Sequence, residues 1–354
     1  MRSDRWARHL CHAVSSRVPA ILGRRPRTPC TRRTMALPAG FFRRAVSSPT
    51  AAKLMLVACA VIWGSSAFMM KDATESLPVF WLLAIRFGMA AVLMLVVFSK
   101  NVRAHLDRRT IGVGLLLGLW EWGGYAVQTV GLTMTTPGKS AFITGSYVVM
   151  VPFIAWAMGM GRPHRWDLAA AAVCLAGLGF VGLDGGGLVN FGDVLTVVCA
   201  LLFALQFVEV ARCGGELDIW ALTAWQFIAM FGLSALLAVF EPVPSPATFT
   251  PPLVLQLVYF GVVCSFVSLA AMNYAFTRVP PAEGSLLACL ESPAGVLFSV
   301  VAGHEILSGR LTLGFALIFT AVLISNGWPW YRERRAKGAE QPEQPETPGR
   351  NHAS

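Results

Sequence analysis

The sequence predicts an all-α integral membrane protein with about ten transmembrane helices arranged as two inverted five-helix repeats. Three observations support this fold class: few charged residues, long apolar blocks, and a similarity between the two halves of the chain. Of the 354 residues, 14% are charged and 55% are hydrophobic, whereas about a quarter of the residues in a soluble domain are charged. The mean hydropathy of +0.59 agrees with a membrane location.

Long apolar blocks set the number of predicted helices. Each block has about 17–24 residues, enough to cross a hydrocarbon core of about 30 Å as a helix. Helices are expected because lipid offers no water to backbone groups, and because the sequence lacks the alternation that marks barrel strands. The predicted spans are residues 54–70, 79–98, 111–130, 139–158, 167–183, 192–211, 219–240, 253–276, 282–302 and 311–328.

The positions of Lys and Arg in the loops predict the orientation. With the N-terminus inside, eight of them fall in inside loops and three in outside loops, as the positive-inside rule requires. Both termini are therefore expected in the cytoplasm, with the helices in the plasma membrane, or in the inner membrane of a bacterium. The inside residues are Lys100, Arg103, Arg108, Arg109, Arg162, Arg165, Arg212 and Arg278, and the outside residues are Lys71, Lys139 and Arg310.

Polar tails flank the predicted spans. Residues 1–53 contain 12 Lys or Arg and one acid, Asp4. Beside a first transmembrane helix, such a tail indicates the cytoplasmic side, and we expect no nucleic-acid partner. An organelle transit peptide and a translation start at Met35 are alternatives for this segment, which is otherwise predicted to be disordered. Residues 331–354 are rich in Pro and Glu and are predicted to be a disordered cytoplasmic tail.

The two halves of the chain resemble each other at a spacing of about 140 residues, and each half holds five predicted helices. An odd number of helices places the start of the second half on the opposite side of the membrane, so the repeat is predicted to be inverted. The paired stretches are CAVIWGSSAF from Cys59 with CALLFALQFV from Cys199, LLAIRFGM from Leu82 with LTAWQFIA from Leu222, and SYVVMVPFI around Pro152 with CLESPAGVL around Pro293.

Several longer motifs resemble one known family. They are VIWGSSAFMMKDA, RFGMAAVLML, QTVGLTMTTPGKSAFITGSYVVMVPFIA, NFGDVLTVVCALLFALQ and LACLESPAGVLFSVVAGHE. The chain is similar to the drug/metabolite transporter superfamily, in its ten-helix EamA-type branch. Ser292 and His304 interrupt the Glu-Pro and Gly-Glu pairs of the family pattern. The resemblance implies a first repeat over residues 54–183, a second over 192–328, and secondary transport of small organic molecules, commonly export.

The stretch TTPGKSAFITGSYVVMVPF holds small and polar residues within an apolar block. Its PGKS segment is not a phosphate loop, because Thr133 stands where that motif needs Gly and no strand precedes it. We interpret it as an outer turn followed by a helix that small residues let pack closely. Pro152 is predicted to kink this helix, with a matching kink at Pro293 in the second repeat. Kinks in corresponding helices indicate a shared central cavity, although a role in packing alone is the alternative.

Charged residues at membrane depth are the first candidates for a site. They cost about 2.5–3.5 kcal/mol each on insertion scales, so they usually face a cavity or a partner. Glu121 and Glu291 lie near the middles of the third and ninth spans and are expected to take up a proton or bind a cationic group. Arg86 is expected to pair with one of them or to hold an anion. A buried ion pair that only fixes the packing is the alternative.

Two further acids have simpler interpretations. Asp193 stands at the start of the sixth span, where an acid complements the helix dipole, so it is predicted to cap the helix. Glu209 lies near an inner helix end and is expected to extend its carboxylate toward water.

Uncharged polar and aromatic residues complete the candidate site. Aromatic faces with a few hydrogen-bonding groups are typical of pockets for organic molecules, although each residue alone could serve packing. The candidates are Trp63, Ser66, Gln128, Tyr147 and Gln206.

These observations predict a secondary active transporter, an exporter, that works by alternating access with proton coupling or exchange. The alternatives are a membrane-embedded enzyme and a non-transporting scaffold; the enzyme is disfavoured because the six histidines lie in tails or loops. The expected partners are a small-molecule substrate and the lipid bilayer, with a homodimer left open. The eight scattered cysteines show no metal-binding spacing, and no cofactor or metal is expected.

Overall fold

The computed structural model describes residues 48–135, 140, 143–182, 190–301, 309–310 and 312–324, and these residues are helical with no β-strand. Most of both predicted tails, 1–53 and 331–354, lies outside them, but residues 49–53 belong to the first helix. The helices are α1 (Pro49–Ser76), α2 (Val79–Val97), α3 (Ser99–Ala104), α4 (Arg108–Leu132), α5 (Tyr147–Ala157), α6 (Arg165–Gly182), α7 (Phe191–Cys213), α8 (Ile219–Ala238), α9 (Pro251–Phe276), α10 (Pro281–Ala288), α11 (Glu291–Val301) and α12 (Thr312–Ile324).

Five of the described helices are long and apolar enough to cross a membrane: residues Pro49–Ser66 of α1, and all of α2, α7, α8 and α9. The prediction of an all-helical membrane protein is confirmed. The other predicted spans contain helices that are shorter, broken or more polar. For example, α4 has 25 residues but carries Glu121 and Gln128 among glycines, and the ninth span is divided into α10 and α11.

Side-chain caps explain where several helices begin. Ser48 Oγ accepts a 3.1 Å hydrogen bond from the Ala51 amide at the start of α1. Asp107 caps α4, and its hydrogen bonds with the hydroxyl and amide of Thr110 lower the pKa of this carboxyl. Asn190 and Asp193 form a capping box at the start of α7. The predicted capping role of Asp193 is therefore confirmed.

The two halves of the chain pack mainly against each other. Four extensive helix contacts join the halves: α4 with α7, α2 with α8, α4 with α8, and α1 with α11. Close approach is possible because small residues lie at the crossings. A Cβ atom on Gly64 of α1 would lie 2.7 Å from Cβ of Ala294 on α11. The core is therefore shared by the two halves, and residues between them are shielded from lipid.

Helix α9 changes geometry along its length. It is α-helical over Pro251–Val258 and Ser268–Phe276, and π-helical over Tyr259–Val267. Short π-helical stretches are uncommon and often mark functional sites. Trp63 Nε1 on α1 donates a 2.7 Å hydrogen bond to the carbonyl of Cys264 in this stretch. The π-helical segment is thus fixed by a side chain from the first half.

Polar contacts join the loops at each end of the bundle. At one end Arg109 and Glu216 form an ion pair, with 2.6 Å between Nη2 of Arg109 and Oε2 of Glu216. At the other end Glu241 Oε2 accepts hydrogen bonds from the amides of Phe80 and Trp81, at 2.9 and 3.2 Å. The prediction for Glu209 is wrong: this side chain does not extend to water but is 4% exposed and pairs with Arg212 one turn along α7.

Candidate functional site

Two adjacent cavities lie between the halves of the bundle. The large cavity has a volume of about 100 Å³ and the small cavity about 30 Å³. Side chains from α1, α4, α5 and α11, together with a segment before α5, line both. The residues common to the two cavities are Trp63, Tyr125, Gln128, Thr144, Tyr147 and Glu291.

The structure brings seven of the eight candidate residues to these cavities. Arg86 and Ser66 line only the large cavity, and Glu121 lines only the small one. The other four, Trp63, Gln128, Tyr147 and Glu291, line both. Residues from four spans of the first half and one of the second therefore meet at one place.

Arg86 is buried on α2, with 2% of its surface exposed. Its Nε atom donates a 2.6 Å hydrogen bond to Oγ of Ser265, and its guanidinium carbon lies 4.6 Å from the centre of the Tyr125 ring. The ion pairs of the described residues do not include Arg86, so it is not within 4 Å of either candidate carboxylate. The predicted direct pairing of Arg86 with a glutamate is wrong for this conformation.

Glu121 and Glu291 differ in their position along a helix and in what stabilises their carboxylates. Glu121 is 2% exposed in the middle of α4, and its Oε2 atom has no hydrogen-bond partner among the described residues. Glu291 is the first residue of α11 rather than a mid-helix residue, because the ninth span breaks just before it. An acid in the first turn of a helix is favoured by the helix dipole. Glu291 therefore has a structural stabilisation that Glu121 lacks.

Hydrogen bonds position the uncharged candidates on α1 and α4. Trp63 is fixed by its bond to the Cys264 carbonyl. Ser66 Oγ donates to the carbonyl of Trp63 in its own helix, at 2.8 Å. Gln128 Nε2 donates a 3.2 Å hydrogen bond to Oγ1 of Thr144. These bonds hold the wall of the large cavity in one arrangement.

The two prolines act differently from the symmetric kinks that the sequence predicts. Pro152 lies inside α5, as expected. Pro293 is the third residue of α11, where a missing amide donor costs no intrahelical bond. The break in the ninth span precedes it, at Cys289 and Leu290, and a turn also interrupts the fourth span at Ser146. The prediction of a kink at Pro293 is therefore corrected to a helix start.

Gln206 belongs to a separate polar cluster. Its Nε2 atom donates a 3.0 Å hydrogen bond to Asn273 Oδ1, and Asn273 Nδ2 donates to Thr223 Oγ1 and Gln226 Oε1 at 3.0 and 2.7 Å. All four side chains are fully buried. Gln206 lines neither cavity, so its prediction as a substrate contact is not supported by its position. It connects α7, α8 and α9 instead.

Sequence reasoning missed several residues that line the cavities. Tyr125 lies four residues after Glu121 and thus on the same face of α4, so helical spacing could have identified it. Phe203 and Phe207 of α7 line the small cavity. Their spacing marks one helix face, but only the packing of α7 against α4 and α5 shows that this face meets the cavity.

The class of protein follows from this arrangement. Polar and charged side chains, enclosed by apolar helices from both halves of a membrane bundle, form the kind of central site that transporters use. The model of the EamA-like transporter family matches residues 50–183 and 190–327. The chain belongs to the EamA-like transporter family and is a multi-pass membrane transporter.

Individual relatives agree with this family. An uncharacterized transporter of Archaeoglobus fulgidus is 32% identical over 273 residues, covering 77% of this chain and 85% of the relative. The uncharacterized inner membrane transporter YedA of Escherichia coli K12 is 24% identical over 287 residues, covering 77% of this chain and 90% of YedA. A protein of known crystal structure shares the fold with a TM-score of 0.67 at 20% identity, covering 83% of this chain and all of that chain.

Proposed function

We propose that this protein is a secondary active transporter that exports a small organic metabolite or drug by alternating access. The observation that carries the proposal is the pair of cavities with Arg86, Glu121 and Glu291 on their walls. Three charged side chains at this depth are costly to insert into lipid. Such residues are retained where they serve binding or coupling, and a cavity between two halves can be exposed to each side in turn.

The helix contacts support two structurally equivalent repeats, residues 54–183 and 192–328, each with five passes. In the two repeats α1 corresponds to α7, α2 to α8, α4 to α9, and α5 to α10–α11. When each helix is replaced by its counterpart, a contact between two helices should become another contact that the structure also contains. The α1–α11 contact becomes α7–α5, and the α4–α7 contact becomes α9–α1; all four are present. Ten passes with an odd number in each repeat make the repeats inverted, which provides two related conformations that open to opposite sides.

The loop contacts support the proposed sidedness. Arg109 and Glu216, which pair, come from two loops that the charge distribution places in the cytoplasm. Glu241 and the start of α2, which also contact each other, come from two loops placed outside. Each contact joins loops on the same side, so the two ends of the bundle are internally consistent with cytoplasmic termini.

Coupling to a proton or to an exchanged ion is assigned to Glu121 and Glu291. Both line the small cavity, so each is placed to take up a proton or cation that enters it. The groups that interact electrostatically with these carboxylates are Arg86 on α2, Tyr125 on α4, Tyr147 on α5, Cys199 on α7, Cys264 on α9 and Cys289 before α11. Arg86 is the charged one among them.

Reconstituted vesicles test this function. Metabolites that accumulate in cells lacking the gene, and decline in their medium, are loaded into proteoliposomes and their efflux is followed across an imposed pH gradient. We expect pH-dependent efflux that Glu121→Gln and Glu291→Gln each reduce, with Glu216→Gln as a control at an exposed ion pair. Full pH-dependent flux in both cavity variants would remove the coupling role, and absence of flux for every such metabolite would remove transport.

A further inference from the structure

We propose that the small cavity binds the ammonium group of the substrate, and that the substrate class is therefore a monovalent organic amine. The large cavity then holds the rest of the molecule. This inference rests on the proposed transport function, since it assigns a substrate class to the same site. Four features of the described residues lead to it: an unpartnered carboxylate, aromatic walls, the sizes of the cavities, and the balance of charge.

The carboxylate of Glu121 is the first feature. It is 2% exposed, its Oε2 atom has no hydrogen-bond partner among the described residues, and it lines the small cavity. A buried ionised acceptor without a partner is destabilising, and either a bound proton or a ligand that supplies a donor relieves this cost. An ammonium group supplies N–H donors and a positive charge.

Aromatic rings form much of the remaining wall of the small cavity. Phe203 and Phe207 come from α7, and Trp63, Tyr125 and Tyr147 complete the wall. The rings brace one another edge to face, with centroids 5.3 Å apart for Tyr125 and Phe203 and 5.2 Å apart for Tyr147 and Phe207. Ring faces attract cations, most strongly where water is excluded. They offer no comparable attraction to an anion.

The volumes of the two cavities indicate which part of the ligand each of them holds. A cavity needs a volume of about 10–15 Å³ to hold one water. The small cavity, at about 30 Å³, thus has room for a small group such as a terminal aminomethyl group. The large cavity, at about 100 Å³, offers Ser66 and Gln128 for hydrogen bonds and takes a short organic body.

The charge balance determines the valence of the ligand. The charged side chains among the described lining residues are Glu121, Glu291 and Arg86. In the state without a bound proton, in which both acids are ionised, the charges of these three side chains sum to −1. One positive charge makes the site neutral, whereas an anion would bring it to −2 in a low-dielectric environment. Arg86 lines only the large cavity, so its side chain does not occupy the small one.

A series of probes with one shape and three charges tests the inference. Butylammonium, butanol and butyrate are titrated into the purified full-length protein in nanodiscs, with binding followed by tryptophan fluorescence. We expect butylammonium to bind at least about tenfold more tightly than butanol or butyrate, as for a buried charge-assisted hydrogen bond. Glu121→Gln should remove this preference and leave butanol binding unchanged, while Glu216→Gln, at an exposed pair, should change neither.

Equal or tighter binding of butyrate, or no binding of any probe to the wild-type protein, overturns the substrate class. So does a folded Glu121→Gln protein that keeps the preference for butylammonium. The wild-type comparison decides the question even if that variant does not fold. The transport proposal fails separately: selective binding of butylammonium without flux in vesicles rejects transport alone, and flux of an anionic metabolite without butylammonium binding rejects the amine alone.

Discussion

Nε of Arg86 on α2 donates a 2.6 Å hydrogen bond to Oγ of Ser265 on α9, across 179 residues of sequence. Ser265 lies in the π-helical segment Tyr259–Val267, so the position of the cavity's guanidinium depends on the geometry of that segment. The ring of Tyr125 covers another side of the guanidinium at 4.6 Å. Arg86 is therefore held by neighbours from two other helices, one in each half of the protein.

Ser265→Ala should destabilise the protein and displace Arg86. The substitution removes the acceptor of a buried charged donor, which costs about 1–3 kcal/mol. The midpoint of thermal unfolding in detergent and the efflux rate in vesicles should both fall. Ser268→Ala is the matched control, because Ser268 is equally buried on α9 but donates only to Val263 of its own helix. Equal effects of the two variants would contradict the special role of Ser265.

Gly64→Ala should disturb the contact between α1 and α11. Its new Cβ would lie 2.7 Å from Cβ of Ala294 and from the backbone of Glu291, so the helices must move apart. Overpacking of this kind costs about 1–3 kcal/mol. Here it should also shift Glu291, which lines both cavities. Thermal unfolding measures the loss.

Gly232→Ala provides the comparison for Gly64→Ala. It is also a helical glycine, on α8, but a Cβ there would meet nothing within 4 Å. Alanine is also the better helix former, so stability should be unchanged or slightly higher. If Gly232→Ala proved as destabilising as Gly64→Ala, the loss at Gly64 could not be assigned to the crossing with α11.

Two exposed alanines test the proposed inversion of the repeats. Ala104 lies at the end of α3 and Ala247 in the loop between α8 and α9, and both are exposed. In a background lacking Cys11 and Cys30, Ala104→Cys should react with an impermeant maleimide only after the cells are opened. Ala247→Cys should react in intact cells, since the six described native cysteines are buried. If both cysteines reacted in intact cells, or if neither did, the opposite orientation of the two repeats would be contradicted.

Much of the candidate site could be predicted from the sequence because charge at membrane depth is conspicuous. Arg86, Glu121 and Glu291 stand in apolar blocks, and each lines a cavity. Gln206 stands out in the same way, but its Nε2 atom donates to Asn273 on α9 and its side chain lines neither cavity. A polar residue in an apolar block can be paired by another helix or left facing a cavity, and nothing local distinguishes the two.

By itself, the sequence determined the helical membrane class, the two related halves and most residues of the polar centre. Lipid requires every span to satisfy its own backbone hydrogen bonds, so apolar length and isolated charge are visible along the chain. Only the tertiary structure decided that the ninth span breaks before Glu291, that Arg86 bonds Ser265 instead of a carboxylate, and that Glu121 stays unpartnered beside aromatic rings. These features depend on contacts between residues far apart in the chain, whose distances no local pattern encodes.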